Sequence, residues 1–166
     1  HTSYARERSW DPSRSNQRLE FLGDAVLDMV LAEYLYAQYP DLLEGELTKM
    51  KAGAVRAQSL ARLARRLDLG QGLLLGRGEL ETGGADKPSL LADCLEALIG
   101  AVYISCGIEI IRAFVLEVVA EFLADAHGGA LFARTEHAAP VAPAALESAL
   151  APLPLAQLDV LPAVVT

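Results

Sequence analysis

The sequence predicts an all-α fold. Apolar residues recur at three- and four-residue spacing in four long segments, and proline or glycine residues separate these segments. No alternating run is long enough to make a sheet. With 166 residues, of which 52% are hydrophobic, the chain is large enough for one ordinary domain with a sizeable core and a tail.

The first predicted helix runs from about Asn16 to Tyr39, and Pro40 ends it. Its apolar positions follow helical spacing: Leu19, Leu22, Val26, Leu27, Val30, Tyr34 and Leu35. The preceding residues, 1–15, are polar, and the run Asp11-Pro12-Ser13 predicts a turn there.

The middle of the chain predicts two more helices with a loop between them. One runs from about Glu44 to Leu67, with Gly53 as a candidate break. Residues 70–88 are rich in glycine and predict a loop with one short helical turn at most. The next helix runs from Pro88 to about Ser105, because proline is favoured at the first helical position.

A fourth helix is predicted over residues 108–126, and Gly128-Gly129 ends it. From residue 138 the composition shifts to Ala, Pro, Leu and Val, and five prolines forbid a long helix. We therefore expect a folded domain over residues 1–127 and an irregular tail over residues 128–166.

Charge and cysteine content exclude some classes of protein. The chain has 14 Lys and Arg against 22 Asp and Glu, which argues against nucleic-acid binding by bulk positive charge. Its two cysteines have no CxxC spacing and no histidine partner, so we expect no zinc site and a reduced, intracellular protein.

No apolar stretch reaches the roughly 20 residues needed to span a bilayer, and no signal peptide is recognisable. Because the chain starts with His1, we expect its natural N-terminus to be missing.

Two pairs of carboxylates stand in otherwise apolar helical runs. Glu20 and Asp24 are at i and i+4, about 40° apart on one helix face. Asp93 and Glu96 are at i and i+3, about 60° apart. Carboxylates are rarely buried unless they are paired or bind a metal, so packing of the two faces would bring together four oxygen-donor groups.

Such a cluster favours divalent cations of the magnesium or manganese type. Two such ions are a common apparatus for the attack of water on a phosphodiester. Two alternatives stay open at this point: simple surface acids, and a ferritin-like di-iron bundle. The bundle requires ExxH motifs, whereas Glu96 is followed at i+3 by Ile99.

The run from Asn16 to Asp24 resembles the NERLEFLGD motif of the ribonuclease III family, with Gln17 in place of glutamate. The run from Leu91 to Gly100 is similar to the family's second block, LADxxEALIG. Further blocks follow the family pattern in the same order, so that the resemblance covers about residues 1–125: His1 to Tyr4, Glu44 to Thr48, Leu75 to Glu79, and Gly83-Gly84.

The resemblance implies a helical homodimer that cleaves double-stranded RNA with Mg²⁺, for which Mn²⁺ can substitute, and leaves 5′-phosphate and 3′-hydroxyl ends. The family's metal-binding positions correspond to Glu20, Asp24, Asp93 and Glu96, of which Asp24 and Glu96 would be the least replaceable. Processing of ribosomal RNA precursors in the cytoplasm is implied as well, with no membrane contact and no organic cofactor.

The resemblance also implies roles for residues beside these acids. Glu44 matches a supporting acidic position near the RNA cleft, and Gln17 is expected to alter RNA contact while activity is retained. Phe21 matches the position whose ring enters a socket on the partner subunit, with ordinary core packing as the alternative. Gly23 lies in mid-helix, where close helix approach at the dimer seam would explain it. Asp28 is expected to be a solvated surface residue.

Several basic residues are candidates for RNA backbone contacts: Lys49, Lys51, Arg56, Arg77 and Lys87. Nothing in the sequence resembles the second, RNA-gripping αβββα domain that bacterial family members usually carry, and we therefore expect weaker, more salt-sensitive RNA binding. The alternatives are a non-catalytic RNA-binding or dimerisation module with the same fold, and a truncated chain that folds poorly.

Overall fold

The computed structural model describes residues 1–126. That part of the chain contains helices and no β-strand. The all-α prediction is therefore confirmed. The α-helices in chain order are α1 (Thr2–Glu7), α2 (Gln17–Gln38), α3 (Glu44–Ala54), α4 (Ala57–Arg66), α5 (Leu69–Gly72), α6 (Arg77–Glu81), α7 (Pro88–Cys106) and α8 (Ile108–Ala126). Short 3₁₀ turns lie at Pro12–Arg14 and Gly84–Asp86.

Helix α7 is the centre of the fold. It packs most extensively against α2 and α4, while α8 packs against α7, α3 and α2. The interior between these helices is built from fully buried aliphatic side chains, among them Leu27, Leu31, Leu35, Leu60, Leu63, Leu91, Leu95, Ile99 and Ile111. The helical periodicity read from the sequence thus identifies the core faces correctly.

By length and composition α7 is apolar enough to cross a membrane, with 19 residues and a mean hydropathy of 1.6. The expectation was that no apolar stretch reaches the roughly 20 residues needed to span a bilayer, and α7, with 19 residues, lies at that limit. The central helix of a soluble domain has the same composition, because it is covered by other helices on several sides. Here α2 and α4 cover it.

Three local predictions were incomplete or misplaced. The turn predicted at Asp11-Pro12-Ser13 is present as a 3₁₀ turn, but residues 1–15 also contain α1, which was not predicted. Residues 70–88 contain α5, α6 and a 3₁₀ turn, where one short turn at most was predicted. The second predicted helix breaks at Val55 and Arg56 instead of at Gly53, because Arg56 adopts an extended conformation with ψ 141°.

Long-range hydrogen bonds explain why α1 forms. The Ser3 hydroxyl accepts a hydrogen bond from the Gly76 N–H at 2.9 Å. The Glu7 carboxylate accepts one from the Arg77 N–H at 2.6 Å. These partners lie some 70 residues away in the sequence, so local composition does not reveal them. The predicted tail, residues 128–166, lies outside the described residues.

Candidate metal centre

The site is built where α2 crosses α7 at very short distance. A Cβ atom placed on Gly23 would lie 1.7 Å from the carbonyl oxygen of Glu96. A Cβ atom placed on Gly100 would lie 2.3 Å from the carbonyl oxygen of Leu19. Only glycine fits at these two positions, because any side chain would overlap the opposite backbone. The close approach at Gly23 is thus to α7 of the same chain, and its dimer role stays a prediction.

The crossing brings three of the four predicted carboxylates together. Glu20 on α2 and Asp93 and Glu96 on α7 each offer an oxygen within 4.8 Å of the others. All three side chains are half-buried. Their donor atoms are all oxygens, which suits Mg²⁺ or Mn²⁺ better than zinc or copper. The residues present therefore fit a hard divalent cation.

The electrostatics of the cluster point to the same conclusion. Burial, followed by the charges of Asp24, Asp93, Glu20 and Asp28, raises the pKa of Glu96 to about 7. Burial and then the charges of Asp93 and Asp24 also raise the pKa of Glu20. Without a cation, close carboxylates repel one another and partly protonate. A bound divalent cation removes that repulsion and favours the ionised forms.

Asp24 lies at the edge of this cluster. It is exposed, and it is not one of the three residues whose oxygens lie within 4.8 Å of one another. Its charge nevertheless raises the pKa of both Glu20 and Glu96, so it lies close to them. Its role as a fourth metal ligand stays a prediction.

Asp28 has a partner that sequence patterns do not reveal. Its carboxylate pairs with the ammonium of Lys51 at 2.8 Å, which links α2 to α3. Its charge also contributes to the raised pKa of Glu96. The pairing occupies Lys51, one of the predicted RNA contacts, in this structure.

The other two predicted cleft residues are Gln17, one helical turn before Glu20 on α2, and Glu44 on α3. Gln17 is exposed in the first turn of α2. Glu44 begins α3, and its carboxylate accepts a hydrogen bond from the Thr48 hydroxyl at 2.7 Å. Glu44 is not one of the three carboxylates grouped around Glu96. Their supporting roles stay predictions.

The predicted RNA-contacting cations differ in how far they are already paired. Lys87 pairs with Glu79 at 3.2 Å, and Arg56 donates to the carbonyl oxygen of Gly53 at 3.2 Å. The side chains of Lys49 and Arg77 are exposed, and within the described part of the chain they make no ion pair. These two are the better available for a polyanion.

One face of α2 is apolar and exposed. Phe21 is 81% exposed, Tyr36 77% and Met29 48%. Together with the exposed residues Ala25 and Ala32, they recur at spacings of three or four and lie on one side of the helix. We call these five residues the α2 face. Among the described residues, Phe21 is therefore not part of the core, and an exposed apolar surface of this kind is typical of an interaction site.

The sequence is similar to that of known ribonucleases. A family model described as Ribonuclease-III-like matches residues 1–123. The Ribonuclease 3 of Desulforamulus reducens is 50% identical over 131 residues, which cover 79% of this chain and 53% of that protein. The Ribonuclease 3 of Heliobacterium modesticaldum is 51% identical over 126 residues, covering 76% of this chain and 54% of that protein. The chain thus spans about half the length of these relatives.

Solved structures give the same result. The nuclease domain of ribonuclease III from Campylobacter jejuni matches with a TM-score of 0.65 and 40% identity, over 73% of this chain and 78% of that one. A second structure of that domain, described as flexible in a region involved in dimer formation, matches with a TM-score of 0.63 and 38% identity, over 77% of this chain and 82% of that one.

Proposed function

Because the chain belongs to the ribonuclease III family, we propose that it is an endoribonuclease that hydrolyses double-stranded RNA with a divalent metal ion. The products would carry 5′-phosphate and 3′-hydroxyl ends. The observation that supports this most is the convergence of Glu20, Asp93 and Glu96 at the crossing of α2 and α7. A non-catalytic relative has no need of three half-buried carboxylates that repel one another.

Within this proposal the three carboxylates hold the ion, and Asp24 faces the same space from the exposed edge. A bound Mg²⁺ supplies the means to form hydroxide from water and to stabilise the leaving oxygen of a phosphodiester. Glu96, whose pKa is about 7 without a cation, would lose its proton when the ion binds. Mn²⁺, with the same preference for oxygen ligands, is expected to substitute.

We further propose that the α2 face forms a homodimer seam. Phe21 and Tyr36 lie near opposite ends of the helix, about 22 Å apart along its axis. In a two-fold dimer with antiparallel α2 helices, each Phe21 would meet the opposite end of the partner's helix. A groove of about 590 Å³ lies at that end, lined by Tyr36, Tyr39, Pro40 and neighbouring residues, Glu44 among them. We infer that this groove receives the Phe21 ring.

In the same dimer, Glu44 would lie near the carboxylate cluster. Phe21 directly follows Glu20 in the sequence, and Glu44 lines the groove. Seating Phe21 of one subunit in the groove of the other would therefore bring the Glu44 that lines that groove towards the carboxylates of the subunit that carries this Phe21. This supports its assignment as an accessory acid, and Gln17, one turn before Phe21, would lie in the same region.

RNA would be held mainly through its phosphates, with Lys49 and Arg77 as the principal contacts. Structured RNA such as ribosomal precursors, processed in the cytoplasm, is the substrate class that family membership supports. A net charge of −8 limits sequence-independent affinity, so binding should fall steeply with salt.

The test is cleavage of a labelled 30-base-pair RNA by the purified chain. We expect products with 5′-phosphate ends in Mg²⁺ or Mn²⁺, and none when EDTA is present. Asp24→Asn should abolish cleavage, while Glu81→Gln, which changes an exposed acid on α6, should leave it unchanged.

The alternative, a non-catalytic RNA-binding module, makes a different prediction in the same assay. It requires RNA binding by gel shift without any cleavage in either metal. Equal cleavage by the wild type and by Asp24→Asn would count against the enzyme as proposed.

A further inference from the structure

The α2–α7 crossing has a reciprocal geometry. On each helix a glycine stands four residues after the residue whose carbonyl faces the other glycine: Leu19 and Gly23 on α2, Glu96 and Gly100 on α7. Each glycine therefore points a Cα hydrogen at an opposing carbonyl oxygen, in the manner of a Cα–H···O contact. The two backbones touch at these four residues.

The residues in contact are the metal-site residues or their immediate neighbours. Glu96 provides one of the touching carbonyls, and Leu19 directly precedes Glu20. The separation of the helices at this point therefore sets the distance between Glu20 on one helix and the carboxylates of Asp93 and Glu96 on the other. The approach of these oxygens to within 4.8 Å of one another depends on that separation.

We propose, on the basis of the proposed metal site, that Gly100 is a positioning residue that fixes the α2–α7 separation required for Mg²⁺. It acts through the backbone of Leu19 and contributes no ligand of its own. Gly23 does the same from the other helix. An added Cβ would lie 1.7 Å from the opposing carbonyl oxygen at Gly23 but 2.3 Å from it at Gly100, so the clash is smaller at Gly100 and this is the better residue to change.

The size of the expected displacement supports this role. A methyl group at Gly100 would have to move from 2.3 Å to about 3.3 Å from the Leu19 oxygen. Because the atoms nearest to this methyl group belong to the backbone of Leu19 and Gly23, the helices must separate by about 1 Å at this point. Mg²⁺ requires near-ideal octahedral ligands at about 2.0–2.1 Å, whereas Ca²⁺ accepts irregular oxygen ligands at about 2.3–2.6 Å. The displacement should therefore impair Mg²⁺ binding more than Ca²⁺ binding.

The experiment measures Mg²⁺ and Ca²⁺ affinity by calorimetry, without RNA, for the wild type and for Gly100→Ala. We expect Mg²⁺ affinity to fall by at least about tenfold and Ca²⁺ affinity by less than about threefold. The matched control is Gly70→Ala. Its new Cβ would also lie 2.3 Å from a backbone carbonyl oxygen, that of Ala85, away from the carboxylates. Gly70→Ala should lower the free energy of unfolding and leave the ratio of the two affinities unchanged.

Each outcome is decisive. If both variants lower stability and neither changes the Mg²⁺ to Ca²⁺ affinity ratio, Gly100 has only a structural role and the proposal is wrong. If the wild type binds neither ion, the metal site itself fails, which is a different result. Should Gly100→Ala be unfolded at 25 °C, the titration is repeated at 5 °C with an osmolyte such as trimethylamine N-oxide. A chain that stays unfolded there, while Gly70→Ala folds, would reject a positioning role in favour of a requirement for folding.

Discussion

The carboxylate cluster and the α2 face lie on the same helix, and each is incomplete in a different way. Glu20 joins Asp93 and Glu96 in a half-buried group whose mutual repulsion raises the pKa of Glu96 to about 7. Phe21, the next residue, is 81% exposed, and within the part of the chain that the structure describes it is not packed in the core. Adjacent residues thus point to a need for a cation on one side and for a protein surface on the other.

If the proposed metal site and dimer seam are both correct, one helix serves two binding events that depend on different physics. A cation removes charge repulsion, and its effect depends on pH and on ligand geometry. A protein partner removes apolar surface from water, and its effect depends on shape and contact area. Because side chains one residue apart point about 100° apart on a helix, the two functions can be separated by mutation.

The largest expected effect comes from removing the aromatic ring of Phe21 from the α2 face. Phe21→Ala should weaken the dimer about a thousandfold, because an aromatic anchor contributes about 2 kcal/mol and a two-fold dimer contains two of them. Analytical ultracentrifugation measures the change. The control is Leu74→Ala, which removes a 58% exposed side chain that is not part of the α2 face. An unchanged dimer in Phe21→Ala would place the seam elsewhere.

The next largest effect comes from removing the charge of Glu96 from the carboxylate cluster. Glu96→Gln should lower Mg²⁺ affinity at least about a hundredfold, since even residues that only orient metal ligands contribute ten- to a hundredfold. The dimer should persist, whereas Phe21→Ala should retain Mg²⁺ affinity as a monomer. Calorimetry and ultracentrifugation on both variants test this separation. Loss of both properties in either variant would show that the two regions are coupled.

A smaller effect follows from the pKa of Glu96. Because its ionised form is required, Mg²⁺ affinity should rise about tenfold between pH 6 and pH 8, through the pKa of about 7. The rise should be absent in Glu96→Gln. Affinity that does not change with pH in the wild type would mean that Glu96 is not a ligand.

The same pKa predicts how stability varies with pH in the metal-free protein. The pKa of Glu96 is raised on folding from 4.5 to about 7, so the folded state binds this proton more tightly than the unfolded state. This stabilisation is present below about pH 4.5 and is lost as the pH rises through about 7. Melting temperatures measured in EDTA should fall over that interval, and less so in Glu96→Gln.

The smallest effect concerns RNA contacts. Lys49→Ala should reduce the slope of log affinity against log salt by about 1, because one phosphate contact is lost. Lys87→Ala should change the slope less, since its ammonium already pairs with Glu79. Fluorescence anisotropy with a catalytically inactive variant measures both slopes. Equal slopes for the two variants would show that this pairing does not matter.

Much of the fold could be predicted because its signals are local. Helical spacing of apolar residues identified α2, α7 and α8, and Pro88 marked the start of α7. The missed elements, α1, α5 and α6, are short helices in polar or glycine-rich sequence. For α1 the hydrogen bonds to residues near Gly76 explain the difference, since no local pattern contains such contacts.

The candidate site also has one part that the sequence predicts and another that only the packing of the helices decides. The spacing of Glu20, Asp24, Asp93 and Glu96 is a property of the sequence alone, because helix geometry converts spacing into a shared face. Which of them converge, and which stays at the edge, depends on how closely two helices pack. The glycine contacts at Gly23 and Gly100 that allow this packing are recognisable only when both helices are placed.

The sequence by itself determined the fold class, because helical periodicity is read along the chain. Its motifs indicated the family and marked the four carboxylates and Phe21 as candidate site residues. The tertiary structure alone decided that Asp24 lies outside the group of three, that Lys51 is paired with Asp28, and that Gly23 contacts its own chain. The physical reason is that charge repulsion, ion pairing and backbone contact all depend on distances between residues far apart in sequence.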